Sequence, residues 1–171
     1  MKQFDYSLPF KYLDFTVPSI RNLYIIGAGE QGVLLVRPYT DIICKHWRFR
    51  TPEIAKESSS IIYGMFLEYL EKEDFIGADM ARKFLEMGFT RARRYANHHS
   101  GRKYGSDGKV LPQESDSEVC HYADSARIFL EARRKAASSG KYKSMRKAWR
   151  KKENMTDNRT FILELRGKEW Q

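Results

Sequence analysis

The spacing of apolar side chains changes character several times along this chain. Residues 1 to 22 are rich in aromatics and broken by Pro9 and Pro18. Phe4, Tyr6, Phe10, Tyr12, Leu13 and Phe15 there predict an extended arm packed on a body. Leu23 to Ile26 and Val33 to Val36 are two short β-rich runs flanking a glycine-rich hinge. That pattern predicts a hairpin, ended by Pro38. His46-Trp47-Arg48-Phe49-Arg50 alternates bulky and charged side chains and is expected to be extended.

The period then lengthens. Thr51-Pro52-Glu53 combines a Thr cap, Pro at the first helical position and an early acid. Ile54, Ser58, Ile61, Ile62, Met65, Phe66, Tyr69 and Leu70 follow at helical spacing and predict a helix over 52–72. A second helix is expected from Gly77 or Ala78, with Ala81, Phe84, Leu85 and Gly88 inward and Phe89, Ala92 and Ala96 in phase. Gly88 reads either as its end or as a close-packing position within it. Residues 100 to 118 read as a polar, glycine-containing loop. Ala123, Ala126, Phe129 and Leu130 mark a helix over 119–137, which Ser138-Ser139-Gly140 interrupts. A basic helix over 141–153 places Tyr142, Met145 and Trp149 on one side. The weakly alternating TFILELRGKEW reads as a last strand. Together these elements predict an α+β class: one helix-dominated domain over 1–135 with a small N-terminal β-hairpin, and a basic helical C-terminal extension over 136–171.

Gly27-Ala28-Gly29-Glu30-Gln31-Gly32 matches the spacing G-x-G-x-x-G. In a dinucleotide-binding unit that loop opens a helix whose N-terminus holds the pyrophosphate. Here the β-branched run after it meets Pro38 before two helical turns can form, so the helix N-terminus that would hold phosphate is missing. A tight turn needing glycine at positive φ explains the motif better.

Charge adds what the periodicity does not show. The 171 residues carry a formal charge of +9. Residues 82 to 104 hold seven basic side chains against one acidic, and residues 127 to 152 hold eleven against one. The remainder is therefore acidic overall. Such segregation is the footprint of an anionic partner, although the same arginines can pair with acids of their own chain.

Candidate reaction chemistry is sparse. Cys44 and Cys120 lie in no CxxC pattern, and Cys44 sits among apolar residues. His46, His98, His99 and His121 match no metal-ligand spacing. Asp74, Asp79 and Glu86 are candidates for magnesium, but nothing in their spacing requires it. No cofactor, metal or catalytic motif is signalled. The N-terminus has no apolar signal-peptide core and no apolar run reaches membrane-spanning length, so a cytoplasmic protein is expected.

The strings GEQGVLLVRPY (29–39), HWRFRTPEIA (46–55) and DMARKFLEMGFTRARRYANHHSGRKY (79–104) resemble a family of short uncharacterised proteins, a domain of unknown function found in bacteria, fungi and cyanobacterial tailed phages. The resemblance covers about residues 4 to 135. It implies that the glycine run belongs to a shared G-x-G-E-Q-G-V-L-L-V unit. It brings no activity and no catalytic residues.

The expected function is non-enzymatic, mostly sequence-nonspecific binding of nucleic-acid phosphates. In the first basic segment the expected contacts are Arg82, Arg91, Arg93, Arg94, Tyr95, His98, Arg102, Lys103 and Tyr104. In the second they are Lys141, Lys143, Arg146, Lys147 and Arg150. Arginine forks suit phosphate oxygens and tyrosines suit unpaired bases. The alternatives are an enzyme that clamps a nucleotide or nucleic-acid phosphate with arginines, and an interaction subunit whose basic tail docks into an acidic protein or ribonucleoprotein partner. The oligomeric state is not legible.

Overall fold

The computed structural model describes residues 4–156 and 158–167. Their regular structure is helical. Two 3-10 turns, Phe10–Tyr12 and Cys44–His46, accompany α1 (Pro18–Arg21), α2 (Tyr39–Ile43), α3 (Pro52–Glu71), α4 (Phe75–Asn97), α5 (His121–Ser138), α6 (Gly140–Met155) and α7 (Arg159–Gly167).

The expected α+β class is therefore wrong: no β-strand forms among the described residues, and the one antiparallel bridge, Tyr104 with Val110, lies in the long loop. Two physical reasons stand out. Leu23 to Ile26 is buried or half-buried and leaves a turn, with the Leu23 and Tyr24 N–H groups donating three residues back, and helix side chains occupy the place of a neighbouring strand. Trp149 Nε1 donates to the Tyr24 carbonyl at 3.1 Å, and the Arg150 guanidinium donates to the Ile26 carbonyl at 2.8 Å. Residues 28 to 35 instead wind through successive turns, with Gln31, Val33 and Leu35 N–H groups donating three residues back. Gly29 and Gly32 take positive φ there, as the turn reading of the glycines requires. The C-terminal strand is also overturned over 159–167, which is helical with Leu165 buried and Phe161 and Ile162 half-buried. Residues 168 to 170 of that expected strand lie outside the described residues.

The long helices follow their sequence signals. Thr51 caps α3 by accepting from the Ile54 N–H at 3.3 Å, and Pro52 occupies the first turn. Its buried stripe is Ala55, Ser58, Ser59, Ile62, Phe66 and Leu70. Ile54 and Ile61, expected inward, are exposed. Asp74 caps α4 by accepting from the Gly77 N–H. α4 then runs unbroken through Gly88, because Phe129 of α5 lies where a side chain would be: a Cβ at Gly88 would stand 2.3 Å from its ring. Every residue from Phe75 to Leu85 is buried, so α4 is the central helix, flanked by α3 and α5.

α6 is not an appendage. Tyr142 is buried in the core, and Trp149 stacks on Phe75 at 5.1 Å between ring centres. The N-terminal arm packs on the body as expected, but folded into short turns, with Phe4, Phe10 and Phe15 in a stacked series. α7 returns to this arm, where Arg166 pairs with Asp5 at 2.9 Å.

A candidate anion-binding cleft

The site begins with a charged group at the centre of the core. Asp79 on α4 is fully buried. Its two oxygens accept from the hydroxyls of Tyr24 and Tyr142, each at 2.5 Å, and from Arg82 Nε at 3.0 Å. Lys83 Nζ lies 3.7 Å away and Arg146 of α6 lies 3.6 Å away. Spacings of three and four residues put Arg82 and Lys83 on the Asp79 side of one helix. Burial alone would raise the Asp79 pKa, but the two cations and two hydroxyl donors hold it well below the usual carboxylate range.

Lys83 is in a different position. It is also fully buried, and it shares a single carboxylate with two competing guanidinium groups. Burial, aided by Arg82 and Arg146, pushes its ammonium down to about 8 against the pull of Asp79. Its firmest hydrogen bond goes to the Gln31 carbonyl at 2.8 Å, which ties the glycine loop to α4. Burial and the facing carboxylate raise both tyrosines, so they remain neutral donors.

Arg82, Tyr142 and Arg146 of this network line a surface cleft of about 380 Å³. Gly27 to Gly29 form one wall. Arg82 and Glu86 of α4, Arg133 of α5, and Lys143 and Arg146 of α6 form the others. Four basic side chains thus converge from three helices with one carboxylate among them. Arg133 Nε bonds Glu86 at 2.5 Å, and Arg82 reaches the same carboxylate at 3.9 Å. Such a concavity, with guanidinium edges and a glycine backbone wall, has the chemistry to hold a phosphate or carboxylate.

The family model described as "Domain of unknown function (DUF4385)" matches residues 5–152. The chain belongs to this family. No curated protein and no solved structure matches it. The match reaches beyond residue 135 and takes in most of α6, so this DUF4385 chain forms the entire cleft within its family region.

The residues singled out from the sequence fall in several places. Arg82 and Arg146 meet at the cleft, with Lys143 on its rim and Lys141 and Lys147 exposed on the same helix. Arg150 is held by Glu153 and the Ile26 carbonyl. Arg93 pairs with Glu118 and donates to the Ser117 carbonyl. His98 is buried, its Nδ1 3.2 Å from the Pro112 carbonyl, so it is not a surface imidazole. Arg91 lines a separate shallow groove with Glu30 and Met87. Tyr95 joins an aromatic cluster far along α4. Arg94, Arg102, Lys103 and Tyr104 are exposed away from the cleft lining.

Asp74, Asp79 and Glu86 do not converge. Asp74 caps α4 and meets Arg21 and Tyr39, while Glu86 holds Arg133. Among the described residues no group of three His, Cys, Asp or Glu side chains is placed to hold a metal ion. No helix of the described residues is long and apolar enough to cross a membrane. Sequence reasoning missed Tyr24, Lys83 and Arg133. The D-x-x-R-K spacing at Asp79 was a legible signal for an intrahelical ion pair. The tyrosine partners, 55 and 63 residues away from Asp79, left no local trace.

Proposed function

We propose that this protein binds nucleic-acid backbones without reading base sequence, seating one phosphate in the cleft. The observation that carries the reading is the meeting of Arg82, Arg133, Lys143 and Arg146 at one concave surface, with a single carboxylate among them. Lys141 and Lys147, exposed on α6, extend the positive surface beyond the cleft. Asp79 and Tyr142 hold Arg82 before any ligand arrives, so little side-chain entropy remains to be lost on binding. Binding of this kind suits a cytoplasmic protein that meets nucleic acid directly.

The concavity favours a second reading, a clamp for the phosphate of a nucleotide, whether or not a reaction follows. Fluorescence anisotropy with oligonucleotides and mononucleotides separates the two. Backbone binding gives affinity for oligonucleotides that falls with salt by a logarithmic slope of about 0.7 to 0.9 per phosphate contacted. A nucleotide clamp gives comparable affinity for both ligands. Changing Lys141, Lys143 and Lys147 to Glu alters only exposed side chains, so circular dichroism should be unchanged while oligonucleotide affinity falls at least about ten-fold. Negligible binding to DNA and RNA at low salt would remove the proposal.

A further inference from the structure

A second cleft, of about 800 Å³, lies between residues 44–50, the start of α3, and the ends of α4 and α5. Trp47, Phe49, Tyr95 and Tyr122 line it, with Ile54 and Cys44 completing the apolar surface. The rings form a connected but splayed set. Their centres are 5.1 Å apart for Trp47 and Phe49, 5.8 Å for Phe49 and Tyr95, and 5.3 Å for Tyr95 and Tyr122. The planes tilt by 57°, 47° and 33°, so the rings do not close on one another as a stacked core would. Arg48 and Arg50 are the charged residues of the lining, and no carboxylate is among them.

We infer that this cleft takes an unpaired nucleobase, so that the nucleic acid bound is single-stranded; this rests on the nucleic-acid reading above. Splayed aromatic faces suit a flat, neutral ring inserted among them. Arg48 and Arg50 carry the charge that the adjoining phosphates need, and exposed Arg94 lies next to Tyr95 on α4. The same two arginines disfavour a methylammonium or other cationic guest, the usual occupant of aromatic cages. A stacked duplex presents no free ring face and is excluded from the cleft. Tyr95 lies thirteen residues beyond Arg82 on one continuous helix, a rise of about 20 Å along its axis.

The test uses the whole protein and three probes of equal length, about 16 nucleotides. They are oligothymidylate, the same backbone with abasic sites, and a duplex. Oligothymidylate should bind at least about ten-fold more tightly than the abasic strand, since base–aromatic stacking contributes roughly 5- to 150-fold per base. A bromouracil-substituted strand, crosslinked by light, should attach to peptides containing Trp47, Phe49, Tyr95 or Tyr122. Arg50→Glu, at an exposed position, should weaken oligothymidylate binding and leave the circular dichroism unchanged. Equal affinity for thymidylate and abasic strands, or crosslinks confined to residues 133–146 around the phosphate cleft, overturns the base site and leaves the phosphate cleft standing. Failure of all three probes to bind overturns both.

Discussion

Replacing Asp79 by Asn tests the central network directly. The change keeps the shape and removes the charge. Two tyrosine hydroxyls and Arg82 Nε then meet one acceptor oxygen and one amide, where before they met two carboxylate oxygens. Lys83 and Arg82 lose the carboxylate that justifies their burial. Removing one partner of a buried ion pair costs about 3–5 kcal/mol. Lys83 can reduce its share by giving up its proton, because burial already holds it near 8. Arg82 cannot deprotonate, so its stranded charge sets a floor on the loss. For a domain of this size about 1 kcal/mol corresponds to roughly 2–4 °C, so Tm should fall by about 6–20 °C in a thermal melt followed by circular dichroism. Adding Lys83→Met to Asp79→Asn should recover part of the loss, because the second change removes one stranded cation. A fall of less than about 2 °C, or no recovery in the double variant, would refute a charge-paired core.

Two further outcomes follow from the packing and the titration of the same helix. Between pH 8 and 10.5 the unfolded chain keeps a proton on Lys83 that the folded chain has released, so this residue's contribution to stability rises with pH across that window. Above about pH 10 the raised Tyr24, Tyr39 and Tyr142 reverse the trend, since only the unfolded tyrosines ionise. Melts of the native chain and Lys83→Met over pH 7 to 11 should show the native chain gaining on the variant from about pH 8 to about 10.5, the tyrosines being common to both; a constant difference sinks the assignment. Gly88→Ala should destabilise the protein even though alanine gains about 1 kcal/mol of helix propensity, because its Cβ would meet the fully buried Phe129 ring at 2.3 Å and overpacking costs about 1–3 kcal/mol. A raised Tm in that variant would show that the ring retreats freely.

What the sequence made legible was local. The start of α3, its length to within a residue, and the inward faces of α4 and α5 follow from caps and periodicity that neighbouring residues impose. Gly88 was open between helix end and contact point, and only the position of Phe129 decides it. The hairpin failed for a reason that no local pattern holds. An apolar, β-branched run states that it is buried and extended, but not what satisfies its backbone. Here the answer lies more than 120 residues later, in Trp149 and Arg150. The charge pattern was legible in amount and not in use. Of the first basic segment, Arg82 and Lys83 turned into the core, Arg93 met Glu118, and His98 was covered by Pro112. The acidic remainder of the chain had left room for that outcome.

The glycine run gains a role from this arrangement that differs from the one its spacing suggests. In a dinucleotide fold the loop aims N–H groups of a following helix at the ligand. Here no long helix follows it, and the loop offers carbonyl oxygens inward instead: Gln31 O receives Lys83 and Gly29 O faces Arg82 at 3.5 Å. These carbonyls compensate buried cations that a single carboxylate does not balance. The loop is thereby clamped to α4, while α6 is clamped to the same carboxylate through Tyr142 and Arg146. Both walls of the cleft are fixed by the charge beneath it. An anion entering above would meet arginines already oriented and would share them with Asp79 and Glu86. On the proposed reading, affinity would depend on how far those two carboxylates leave the outer guanidinium edges unbalanced, and Glu86, which holds Arg133, would tune the site.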